Sequence, residues 1–155
     1  MSKLVECIFC QIIAAERHAI MIAKSPLTVA FLDIQPVNLG HALIVPQRHV
    51  SSFTELTEPE VSDLMIVAQN VAKALRATFA EHNGITLSLA DGLSAGQDVP
   101  HTHLHVIPRQ PADGFGWRRF GVRSDREELE QIGQQIRLFI GGSAHIMKPM
   151  VNERV

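Results

Sequence analysis

With 155 residues, of which 46% are hydrophobic and 19% charged, the chain has enough apolar material for one packed core and too little length for two. Fourteen Lys and Arg against sixteen Asp and Glu leave a net charge of -2, which argues against a duplex nucleic-acid binder but leaves room for a nucleotide-sized ligand. No apolar run nears the roughly 18 residues of a membrane span, so no membrane association is expected; Cys7 and Cys10 are too close to staple a fold, which fits a reducing cytoplasm.

In chain order, Ile8 to Ala15 is an apolar cluster suited to one or two helical turns. Ala19 to Ala23 and Leu27 to Ile34 lean towards strand around a turn at Ser25-Pro26, which predicts a hairpin. The turn formers Gln35 to Gly40 then lead into a short strand, His41 to Pro46. Val61, Leu64, Met65, Ala68, Val71, Ala72, Leu75 and Phe79 recur at helical spacing. With the capping-box pair Thr57 and Glu60 before them and Asn83-Gly84 after, they predict one long helix from about Glu58 to Glu81. Ile85 to Leu89 reads as strand, Asp91 to Asp98 as a glycine-containing loop, and His101 to Ile107 as strand again. Ser124 and Glu127 cap a second helix from about Asp125 to Ile140, and the residues after Gly141-Gly142 read as an arm. The expectation is one α+β domain over 1–140, an antiparallel sheet of about five strands with helices on one side, followed by a C-terminal arm over 141–155. A Gly-rich phosphate loop with its Lys-Ser/Thr is missing, and Gly114-Phe115-Gly116 does not continue as a dinucleotide fingerprint, because Arg119 stands where a small residue is needed.

Eight histidines are the surplus to explain, and three of them form His101-Thr102-His103-Leu104-His105. On a strand, alternation puts the three imidazoles on one face and Thr102, Leu104 and Val106 on the other. A solvated polar face conflicts with the flanking Leu104, Val106 and Ile107. Two chemical readings remain. Three imidazoles can hold a catalytic zinc with an open position. Alternatively, a neutral imidazole can attack phosphorus with one nitrogen while the other donates its proton to a fixed acceptor, neighbouring rings stabilising the phosphate oxygens.

The run His101-x-His103-x-His105-Val106-Ile107, preceded by Gly96-Gln97-Asp98-Val99-Pro100, resembles the signature of the histidine triad (HIT) nucleotide hydrolases and transferases. Phe31-Leu32-Asp33-Ile34 and Gly40-His41-Ala42-Leu43-Ile44-Val45-Pro46 are similar to the family's nucleoside-binding strand and the one after it. The resemblance implies His103 as nucleophile towards the α-phosphorus of a purine nucleotide, with His41 and His105 completing the site. It implies Asp33 on the ribose hydroxyls, and Ile8, Phe9, Ile12, Phe31 and Ile34 around the base. Gln97, Asp98 and Val99 would lie at the phosphates, with backbone N–H groups near Gly96 to Asp98 holding oxygens. Its candidate substrates are nucleoside phosphoramidates and dinucleoside polyphosphates, and it implies a homodimer with a continuous sheet and no organic cofactor. The chain departs from the pattern at Ala90, where relatives carry Asn or Gln, and at Asp98, where many carry Ser or Thr. An ionised Asp98 would repel phosphate, whereas a buried one could donate a proton. A nucleotide-binding regulatory module with little turnover is the rival from another class.

Cys7 and Cys10 have half the ligand spacing of a structural zinc site, but redox pairs share it, and spacing alone cannot choose partners among His18, His49, His82 and His145. The resemblance to zinc-bearing branches implies Cys7, Cys10, His49 and His101, a closed structural set. Arg109, Arg118 and Arg119 with Trp117 are either a solvated loop or a contact to a distal phosphate.

Overall fold

The computed structural model describes residues 7–79 and 83–116; the expected second helix, the C-terminal arm, and Trp117, Arg118 and Arg119 lie outside the described residues. Five strands, β1 (Met21–Lys24), β2 (Thr28–Leu32), β3 (Ala42–Pro46), β4 (Gly84–Leu89) and β5 (Leu104–Arg109), form one sheet in the order β1-β2-β3-β5-β4. Every neighbouring pair is antiparallel. Helix α1 (Ile8–Ile13) precedes the sheet and helix α2 (Glu58–Thr78) joins β3 to β4. Among the described residues no helix is long and apolar enough to cross a membrane.

Register explains how one sheet serves two purposes. β3 is buried along its whole length, so its alternate residues face two different apolar layers. Ala42 and Ile44 join Ala30, Leu104 and Val106 against Leu64, Ala68 and Val71 of α2. Leu43 and Val45 join Val29 and Phe31 under Cys7 and Phe9. The expectation of helices on one side is therefore corrected: α2 covers one face and the short α1 segment the other. Leu43 stands opposite both Phe31 and His105, so the face under α1 is also the one that presents chemistry.

The capping box forms as the sequence predicts, with the Thr57 hydroxyl accepting from the Glu60 N–H and the Glu60 carboxylate accepting from the Thr57 N–H. Arg48 adds two 2.8 Å hydrogen bonds to the Glu60 carboxylate, and this guanidinium is the main cause holding Glu60 down at about 2. The chain leaving β3, which carries His49, is thereby fixed to the start of α2. The helix stops at Thr78 rather than Glu81, where Phe79 leaves helical geometry and its ring packs over Gly40. Gly40 has φ +92°, and a Cβ there would fall 2.7 Å from a Phe79 ring carbon, so only glycine fits at the entry to β3.

A second boundary also differs. β5 begins at Leu104, so His101 and His103 precede the strand and only His105 lies on it. Residues 101–103 are tied instead to the loop after β3, through the Thr102 N–H donating to the Val50 carbonyl at 2.6 Å.

Candidate active site and metal-binding cluster

Cys7 is the N-cap residue of α1 and Cys10 lies three residues on, about one turn further along the helix. His101 brings Nδ1 to 3.4 Å from the Cys7 sulfur and 3.6 Å from that of Cys10; His49 Nδ1 is 3.3 Å from Cys10. Tetrahedral zinc with Zn–S of about 2.3 Å and Zn–N of about 2.05 Å requires S···N edges of roughly 3.5 Å, which these distances bracket. The protonation pattern also fits. His101 Nε2 donates to the Pro46 carbonyl at 2.9 Å, which leaves its Nδ1 lone pair facing the sulfurs. A redox pair would need a lowered thiol pKa, whereas burial is the main cause pushing Cys10 up to about 11. The four residues form a closed set with ligand atoms within 4.8 Å of one another.

His103 uses its ring differently. Its Nδ1 lies 2.7 Å from the His101 carbonyl, which can only accept, so the ring proton is on Nδ1 and Nε2 carries the lone pair. Phe9 packs its ring edge-on against both His103, at 5.2 Å between centroids, and Phe31, at 5.5 Å. His41 and His105 form a pair, with His41 Nε2 2.9 Å from His105 Nδ1. The Val37 N–H donates to His41 Nδ1, so in the neutral ring the His41 proton is on Nε2 and passes the hydrogen bond to His105. His105 then carries its own proton on Nε2. Burial is the largest cause lowering both rings, His105 to about 4, with the neighbouring rings adding to it; for His41 the Asp33 carboxylate, 3.6 Å away, opposes the shift. Both imidazoles of this pair are neutral at physiological pH.

Asp33, Phe31, His41, His103 and His105 line one hollow of about 470 Å³, together with Ile8, Phe9, Ile12, Asp98, Val99 and Ile34. Ile34 is 83% exposed, so it borders the opening and contributes nothing to the core. Gln97 is not part of the lining. Its buried side chain braces the loop instead, accepting from the Gly92 N–H at 2.7 Å and donating to the Ser51 carbonyl at 2.8 Å. The backbone N–H groups of Gly96 and Gln97 are likewise bonded within the loop, to the Leu93 and Gly92 carbonyls. Of the three expected oxygen-holding amides, Asp98 alone is left with a free N–H among the described residues. Arg109 points into a separate network with Asp113 and Thr86 and does not border the hollow.

Six lining residues were not anticipated: Arg17, His18, Ala19, Leu32, Gln35 and Leu43. Leu43 was legible, since on a strand it shares a face with His41. Arg17 and His18 arrive through the irregular turn after α1, for which the sequence carries no periodic signal. The three triad imidazoles do not converge on one metal, because His101 turns its Nδ1 to the cysteines. A second set of ligand atoms, on Asp33, His41 and His105, also lies within 4.8 Å, but there the two imidazoles are bonded to each other.

Comparison with known proteins places this arrangement. The HIT domain model matches residues 14–112, and the chain belongs to that family. It is 32% identical over 133 residues to adenosine 5'-monophosphoramidase hnt1 of Schizosaccharomyces pombe, covering 84% of this chain and 95% of that one. Its fold is similar to a HIT family member from Bacillus subtilis, with TM-score 0.77, 30% identity, and coverage of 92% and 99% of the two chains. It is also similar to a zinc-bound histidine triad protein from Mycobacterium smegmatis, with TM-score 0.68, 31% identity, and coverage of 90% and 99%.

Proposed function

We propose that the protein is a nucleotide hydrolase or nucleotidyl transferase acting at the α-phosphorus of a purine nucleotide through His103. The observation that carries this reading is the Nδ1–H of His103 held by the His101 carbonyl, which leaves Nε2 as a lone pair at the hollow. His103 Nε2 bonds to phosphorus as the leaving group departs, and His105, protonated to its imidazolium form as the anionic phosphate docks and supported by His41, gives the leaving atom its proton from Nε2–H and returns to the neutral ring. Water then cleaves the nitrogen–phosphorus bond and returns that proton to His105. Asp33 accepts from the ribose hydroxyls, Phe9 and Phe31 flank the base with Ile8 and Ile12, and the free Asp98 N–H takes a phosphate oxygen. The name of the fission yeast relative supports a nucleoside phosphoramidate as substrate.

Cys7, Cys10, His49 and His101 would hold zinc, which supplies a structural cross-link between α1 and the loops around the sheet. A homodimer is supported by the outer edge of β4, which no strand pairs among the described residues, and by Leu87, Met65 and Ile66 exposed together near it. We place the protein in the cytoplasm on its reduced cysteines.

Mass spectrometry of acid-quenched protein incubated with adenosine 5'-phosphoramidate tests the chemistry. A nucleotidyl adduct on the peptide containing His103, lost in His103→Ala while nucleotide still binds, is the expected result. Binding without adduct or turnover would establish the regulatory-module reading instead.

A further inference from the structure

One carboxylate at this site has no part in the chemistry above. Asp98 is exposed on the loop before the histidines and borders two hollows at once, the nucleotide hollow and a neighbour of about 480 Å³. Ile8, Asp98 and Val99 belong to both linings, so the two meet along that ridge. The second hollow adds Ser51 and Pro100 and approaches the metal cluster at Cys7 and His49. Among the described residues no cation pairs with Asp98. Arg17 borders the nucleotide hollow but not the second one. The Asp98 carboxylate is near enough to His105 to favour that ring's protonated form.

His105 protonates the leaving atom, so a charge beside His105 is a charge beside the leaving group. An unpaired carboxylate about 5 Å from a unit charge alters its energy by roughly fourfold in a rate or binding constant under full water screening, and by more where water is thinned out. A polyphosphate leaving group brings several negative charges to that position, and an amine with a second ammonium brings a positive one. Building on the hydrolase reading, we propose that Asp98 selects the leaving group, favouring nucleoside 5'-phosphoramidates whose amine bears a further cationic group and rejecting polyphosphate leaving groups. The body of that amine crosses the Asp98–Val99 ridge into the second hollow. The reaction is otherwise unchanged: the P–N bond breaks as His103 bonds to phosphorus, the amine leaves with a proton from His105, and water completes hydrolysis.

The test compares kcat/KM of the full-length, metal-loaded protein on three substrates: adenosine 5'-(N-4-aminobutyl)phosphoramidate, its neutral N-pentyl isostere, and diadenosine triphosphate. Wild type should prefer the cationic amide over the neutral one by about tenfold, and 0.5 M salt should shrink that preference. In Asp98→Asn and Asp98→Ser the ratio should fall to about one, and diadenosine triphosphate should gain about tenfold relative to the neutral amide. A wild-type ratio near one, or a ratio unchanged in both variants, overturns the inference while leaving the hydrolase reading intact. Absence of turnover on all three substrates, with no adduct on His103, overturns the reading and the inference together.

Discussion

Replacing Asp33 by asparagine isolates the proposed ribose contact. The Asp33 Oδ1 accepts from the Gln35 N–H at 2.8 Å and the residue's own N–H donates to the His41 carbonyl at 2.9 Å. Asparagine keeps one side-chain oxygen for the first bond and leaves the second untouched, so the turn after β2 stays closed. What it removes is the anionic acceptor. A hydrogen bond to a charged group contributes about 1.5 to 3 kcal/mol, corresponding to roughly 10- to 150-fold in affinity. Calorimetric titration with AMP and with 2',3'-dideoxy-AMP, on wild type and Asp33→Asn, forms a closed cycle in which effects unrelated to the hydroxyls cancel. Wild type should prefer AMP by that factor, and in Asp33→Asn the preference should shrink to within about threefold. Binding is the proper readout, because losing the carboxylate also removes the influence that opposes the lowering of His41. The same AMP preference in both proteins would refute a ribose role for Asp33.

Two further outcomes follow from the side-chain geometry. Purified protein should carry one zinc per chain by elemental analysis, and Cys7→Ser, Cys10→Ser should lose it together with about 10 °C or more of Tm; metal retained by that variant would place the ion elsewhere. For pH, His105 takes a proton near 6.5 when unfolded but only near 4 when folded, mainly because of burial. Between those values the unfolded chain binds more protons, so this contribution is complete above about 6.5 and is lost as pH falls towards 4. Discounted for solvent reaching the ring it amounts to about 1 kcal/mol, so Tm should fall by roughly 2 to 4 °C more in wild type than in His105→Gln between pH 7 and pH 5. Parallel curves would contradict a buried neutral His105.

Periodic patterns carried most of the architecture into the sequence. The α2 stripe, its capping box and the five β-leaning runs report burial, and burial repeats at 3.6 or 2 residues. What lay beyond reach was set by partners distant along the chain. Alternation put the three triad imidazoles on one face; that His101 turns its Nδ1 to sulfur atoms more than 90 residues earlier was implied by the family resemblance and by no spacing. Gln97 reads as a phosphate contact until the Ser51 carbonyl and the Gly92 amide are seen to take both ends of its side chain. Placing α1 under the sheet depends on Phe9 meeting Phe31 and His103, a contact no local spacing encodes. Arg17 and His18 reach the hollow only through that placement.

His101 belongs to both centres. Its imidazole faces the cysteine cluster, and its peptide oxygen fixes the proton of the proposed nucleophile two residues on. On the proposed zinc and hydrolase readings, a thiol-blocking reagent or a strong chelator would therefore act on catalysis through a single peptide plane. Such treatment would let the neighbouring ring exchange tautomers and blunt its attack on phosphorus well before the sheet itself melts.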